Sequence, residues 1–229
     1  MPRKYFDAIL GELRDEISTM GGYVREELDV ALAALQDLDE EAAARVSELD
    51  RQVNAIRFNI EERCFLIVAT QHPAASDLRL IFAAANMIVD LERMGDQAKG
   101  VAKLIPDLRS QPDLAHPVEL RQMGLIAGEM LTDALHAFAQ ADTQLAQAVA
   151  QRDTEVDALY ASAFTQIMHM LAETSDEARV RVVYQLLRAA RELERFADLV
   201  ENFAERSIYL FTGEMPYPGQ GPGVSSLNL

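Results

Sequence analysis

Along most of the chain, apolar residues return every three or four positions, the spacing that lays one face of an α-helix against a core. Ile81, Ala84, Ile88, Leu91, Gly95, Ala98, Ala102 and Ile105 form one such stripe, and Val183, Leu186, Ala190, Leu193, Ala197, Val200 and Ala204 form another. The segments between breaks are rich in Ala, Leu, Glu, Gln and Arg, all good helix formers, and no stretch reads as a strand. The pattern is interrupted at "QHPAASD" (71–77), at "PDLRSQPDLAHP" (106–117), at "AETSDEA" (172–178) and from Gly213 onward. Softer stops fall at "DLDEE" (37–41) and at Asp142, where an acid can cap the next helix. Six helices follow.

The chain also repeats itself. A shift of 103 overlays residues 20–50 on 123–153 without a gap and matches Met20 with Met123, Ala31-Leu32 with Ala134-Leu135, Asp39 with Asp142 and Asp50 with Asp153. After the second loop of each half the shift becomes 102, which superposes Leu91-Glu92-Arg93 on Leu193-Glu194-Arg195 and Asp96 on Asp198. One residue deleted in a turn accounts for the change. The expected architecture is all-α: two tandem up-down-up three-helix bundles, the first over 1–107 and the second over 118–211, joined by a proline-rich linker at 108–117. The remainder, 212–229, is rich in Gly and Pro without a cluster of charge and is expected to be a flexible tail.

Composition narrows the partners. With 37 acids against 21 bases the formal net charge is −16, so nucleic acid and anionic membranes are repelled and cations are attracted. The lone cysteine, Cys64, lies in the apolar run "CFLIVA" and reads as a small buried hydrophobe, with no disulfide within the chain. No 18-residue apolar run and no cleavable leader is present, which predicts a cytoplasmic protein without membrane insertion.

Two short stretches carry the chemistry. "VDLERMGD" (89–96) and "RELERFAD" (191–198) each place Glu and Asp four apart beside a core stripe, so Glu92 and Asp96, like Glu194 and Asp198, project from one face roughly 6 Å apart. Antiparallel neighbours bring residues equally far from a turn to one level. Counted from the turn near 74, Asp50 and Asn54 come level with Asp96 and Glu92; counted from the turn near 175, Asp153 and Asp157 come level with Asp198 and Glu194. Counting from the turn near 143 adds Glu129 and Asp133 to the second belt, and Glu26 comes level with Asn54 in the first. Val30 and Asn54 stand where the second repeat has Asp133 and Asp157, so the second belt is expected to bind ions more tightly.

Crowded carboxylates repel unless a cation lies among them. All-oxygen ligation suits Mg, Mn, Ca or iron, whereas Zn and Cu usually recruit His or Cys. The histidines stand apart: His72 precedes a proline, His116 is in the linker, His169 is alone on its helix, and Asp133 with His136 makes a single Asp-x-x-His pair; each is expected to be a structural histidine at or near the surface. Two other readings compete with a metal-binding regulator. One is a scaffold whose acids pair only with Arg93 and Arg195, and the other is an enzyme with a carboxylate-bridged metal centre.

With the tandem repeat, "LERMGD", "LERFAD" and the turn "TQHPAASDLR" in hand, the chain resembles the PhoU family of bacterial phosphate-signalling regulators over residues 1–212. The resemblance implies metal at Asp50-x-x-x-Asn54 with Glu92-x-x-x-Asp96 and at Asp153-x-x-x-Asp157 with Glu194-x-x-x-Asp198. The ions implied are divalent or trivalent: iron, manganese, magnesium or zinc. The family often continues its motif with His-x-x-Asn, where this chain has Gln97 and Gly100 in the first repeat and Leu199 and Asn202 in the second. The resemblance further implies a non-enzymatic protein that links the ATPase subunit of a phosphate ABC transporter to a sensor histidine kinase and represses phosphate-starvation genes. A homodimer is the expected assembly.

Overall fold

The computed structural model describes residues 3–114 and 117–214, so His116 and the tail beyond Glu214 lie outside the described residues. The helices are α1 (Arg3–Asp37), α2 (Glu40–Gln71), α3 (Ala75–Ala102), α4 (Ile105–Arg109), α5 (Val118–Gln140), α6 (Thr143–Ala172) and α7 (Glu177–Thr212). No strand occurs among the described residues. α1, α2 and α3 pack as one three-helix bundle, and α5, α6 and α7 as a second.

The same local device opens both hairpins. Leu38 and Ala141, 103 residues apart, take left-handed conformations with φ of 50° and 56°. The next residue in each case is a capping aspartate: Asp39 accepts from the amides of Glu41 and Ala42, and Asp142 from those of Gln144 and Leu145. A side chain in the left-handed region costs about 1 kcal/mol, which a good N-cap offsets. Asp176 caps α7 in the same way by accepting from the Ala178 amide.

A short helix straddles the boundary between the expected first repeat and the proline-rich linker. α3 ends at Ala102, and one short helix follows with Pro106 in its first turn, where the missing N–H of proline is not needed. Ile105 and Leu108, three apart, are both buried. Their burial holds this turn of helix against the bundles.

The two bundles lie side by side and share one core. α1 packs on α5 and α3 on α7. On the α1–α5 seam, Gly21 accepts the side chain of Leu135, and Gly124 accepts that of Leu32; a Cβ on either glycine would overlap the leucine. The numbering rises on one helix as it falls on the other, so the helices are antiparallel. Gly124 is Gly21 shifted by 103 and Leu135 is Leu32 shifted by 103, which makes the seam a pseudo-two-fold interface. α3 and α7 are antiparallel too: buried Asp90 pairs with Arg206, while Gly100, further along α3, faces Glu192, further back on α7. Fully buried Phe138 of α5 and Phe203 of α7 meet edge to face with centroids 5.7 Å apart, the geometry aromatic quadrupoles favour.

Candidate metal centre

The two acidic belts occupy equivalent places in the two bundles, but their contents differ. In the first, Asp50 of α2 is only 3% exposed. Lys99 of α3 donates from Nζ to Asp50 Oδ2, while Oδ1 has no hydrogen-bond partner. Glu27 of α1 is fully buried beside them, and neither of its carboxylate oxygens has a partner. It reaches this place because Gly95 of α3 has no side chain: a Cβ there would lie 2.8 Å from Glu27 Oε2. Burial, followed by the charge of Asp50, pushes the Glu27 carboxyl up to about 9 although Lys99 pulls it down. Asp96 is exposed at the rim, where its charge reaches both Glu27 and Lys99.

The other first-belt residues turn elsewhere. Asn54 donates to the backbone oxygen of Asp50 on its own helix, at 2.9 Å. Glu92 accepts from Arg57 across the α2–α3 seam at 3.4 Å. Glu26 points to solvent. The α1 contribution to the belt therefore comes from Glu27 and not its neighbour.

The second belt contains Asp153 of α6 with Glu194, Asp198 and Glu201 of α7, and the charge of Asp157 acts on all of them. Asp153 is 8% exposed and its carboxyl is pushed up to about 7, first by burial and then by Glu201, Asp157, Asp198 and Glu194. Burial also raises the carboxyls of Glu194, Asp198 and Glu201, with neighbouring acids adding to the shift in each case. Arg191 donates to Glu194 Oε1 at 3.1 Å, and Oε2 of the same carboxylate is buried without a partner. Glu129 and Asp133 are not part of this group. Arg152 holds them at 2.8 and 3.5 Å on the outer α5–α6 edge, and both remain well exposed. Their phase on α5 explains the displacement, since Met130, Leu131 and Ala134 take the inward positions.

Among the described residues, no three His, Cys, Asp or Glu side chains converge closely enough to enclose an ion as they stand. The acids of the second belt nevertheless raise one another through space, and an orphaned buried oxygen faces them at Glu194. A cation among them would relieve both the repulsion and the missing partner. An open groove between α5 and α6 is lined by Gln122, Leu125, Ile126, Glu129, Glu155, Ala158 and Leu159, and so touches none of the inward belt acids.

Sequence spacing left out three residues that the belts contain. Glu27 continues the three-and-four step of Leu13, Ile17, Met20 and Val24 on α1, so the apolar stripe itself led to it. Lys99 and Glu201 each lie seven residues beyond the Glu of their motif, two turns along the same face. They occupy equivalent positions under the shift of 102.

Known proteins share this fold. The PhoU domain family matches residues 17–105 and again 120–207, one match in each repeat. A Pseudomonas aeruginosa protein named phosphate-specific transport system accessory protein PhoU homolog is 39% identical over 209 residues, covering 91% of this chain and 86% of that protein. The Escherichia coli K12 protein named phosphate-specific transport system accessory protein PhoU is 34% identical over 209 residues, with the same coverage of 91% and 86%. The crystal structure of PhoU from Pseudomonas aeruginosa superposes with a TM-score of 0.86 at 38% identity, covering 91% of this chain and 100% of that one. That of the phosphate transport system regulatory protein PhoU from Streptococcus pneumoniae gives 0.85 at 33% identity, covering 93% and 99%. With the family matched in each of the two repeats and a relative 39% identical over 91% of the chain, the chain belongs to the PhoU family.

Proposed function

We propose that this chain is a non-enzymatic accessory regulator of phosphate uptake. In this reading it works in the cytoplasm as a homodimer and connects the ATPase subunit of a phosphate ABC transporter with a sensor histidine kinase. When phosphate is plentiful it holds phosphate-starvation genes down. The observation that carries the reading is that the similarity to relatives named as phosphate-specific transport system accessory proteins runs through both repeats and 91% of the chain. No described helix is long and apolar enough to cross a membrane, so any contact with a transporter is made from outside the bilayer core.

The same reading includes a divalent or trivalent cation, iron, manganese, magnesium or zinc, held in the second belt by Asp153, Asp157, Glu194 and Asp198 with Glu201. A bound ion would supply positive charge between α6 and α7. Asp153 is buried and Glu194 half-buried, while Asp157 is exposed at the rim. The test is affinity capture of the ATPase subunit and of the kinase by this protein in extracts from phosphate-replete and phosphate-starved cells, beside a reporter for starvation genes. Capture of both with repression lost on deletion is expected; capture of neither with an unchanged reporter would overturn the reading.

A further inference from the structure

Equivalent places in the two belts carry opposite charge. The shift of 102 sets Lys99 of α3 against Glu201 of α7, and the shift of 103 sets Glu27 of α1 against Met130 of α5. With Asn54 against Asp157, these differences separate a belt with a lysine bonded to its buried acid from a belt whose inward groups are all acids.

In the first belt the Lys99 ammonium is bonded to Asp50 and lies within the field of Asp96 and Glu27. Buried Asp50 is already paired by that ammonium, and fully buried Glu27 turns two unpartnered oxygens toward the same place. In the second belt Met130 is buried and offers no oxygen, and Glu201 adds a carboxylate where the lysine stood. Arg191 and Arg195, the flanking bases, are both exposed.

We propose that Lys99 is a built-in cation: its ammonium takes the place among Asp50, Glu27 and Asp96 that a metal ion would need, so that this chain takes metal in the second belt alone. The first-belt set Asp50, Asn54, Glu92 and Asp96 then does not fit a metal. A divalent ion there would face a fixed positive charge at hydrogen-bonding range of Asp50, and Glu92 Oε1 already accepts from Arg57. A lysine ammonium is compact and positively charged, so it can stand where a small cation would; here it donates to Asp50 Oδ2, while Asp50 Oδ1 and both Glu27 oxygens keep no partner. The proposal rests on the metal-binding reading only for what it says of the second belt.

Calorimetric titration of the metal-depleted full chain with Mn²⁺ tests it. The parent should show one class of ion, which Glu194→Gln with Asp198→Asn removes. Lys99→Met should add a second class, and Asp50→Asn should remove that class again. Binding that survives Glu194→Gln/Asp198→Asn and disappears with Asp50→Asn would show metal in the first belt beside Lys99 and would overturn the proposal without any change at Lys99. A Lys99→Met protein that keeps native circular dichroism and gains no ion would overturn it as well. Should the parent bind nothing while Lys99→Met binds Mn²⁺, the second-belt reading fails and Lys99 keeps its role.

Discussion

Replacing Glu27 with Gln should stabilise the protein, by an amount that grows with pH. Glu27 is fully buried, both its oxygens lack partners, and its carboxyl is raised to about 9 from an ordinary 4.5. Below pH 4.5 the folded and unfolded chains both hold the proton, and the favourable contribution of this group is complete. Between 4.5 and 9 the unfolded chain has released the proton while the folded chain still holds it, so stability falls by about 1.4 kcal/mol for each pH unit. By pH 7 the loss is about 3 kcal/mol. Gln has the same shape and does not titrate, and its amide can donate to the unpartnered Oδ1 of Asp50. Urea unfolding of parent and variant at pH 5, 6, 7 and 8 in the presence of EDTA isolates the effect, because the second-belt acids contribute to both proteins alike. The advantage of the variant should climb from about 0.7 kcal/mol at pH 5 to about 3 kcal/mol at pH 7. A difference that stays flat with pH, or a variant weaker than the parent at pH 7 and 8, would refute the reasoning.

Mn²⁺ at a hundredfold over its dissociation constant should raise stability by about 2.7 kcal/mol, or roughly 5–10 °C in melting temperature, relative to chelator. Glu194→Ala with Asp198→Ala should abolish the difference and Glu92→Ala with Asp96→Ala should preserve it; the reverse pattern in scanning calorimetry would count against the second belt. Gly21→Ala and Gly124→Ala each place a methyl group against a packed leucine and should each lose about 1–3 kcal/mol in denaturant melts. If only one of the pair is sensitive, the seam is not two-fold in energy. Arg206→Met strands the buried Asp90 carboxylate and should lower stability by about 3 kcal/mol at pH 7, with much of the loss recovered in Arg206→Met/Asp90→Asn.

The helices and their repeat were open to reading in one dimension because three-and-four spacing, capping acids and the 103-residue shift are local or self-referring signals. Asp39 and Asp142 announce α2 and α6 before any packing is known. The seam was not readable in this way: Gly21 and Gly124 look like ordinary breaks in helix propensity until Leu135 and Leu32 are seen to fill the space above them. In the belts, level-matching along antiparallel helices brought Asp153, Asp157, Glu194 and Asp198 together, but level says nothing of rotation. A residue one step off in phase turns about 100°, which is why buried Glu27 takes the inward place and exposed Glu26 does not. The same rotation sends Glu129 and Asp133 to Arg152. Spacing on one helix suggests a surface pairing of Asp96 with Lys99, whereas the partner of Lys99 is buried Asp50 across the α2–α3 seam, a long-range contact that local spacing does not encode.

The reciprocal fit of Gly21 with Leu135 and Gly124 with Leu32 gives one chain the outline of a homodimer. In a true homodimer each codon writes both sides of the interface, so a lysine placed in one subunit's belt appears in the other's as well. Joining the two copies end to end removes that obligation. The contacts that hold the halves together keep their mirrored form, while Lys99 and Glu201, or Glu27 and Met130, diverge freely at matched positions. Shape is inherited twice, and charge is chosen once for each half.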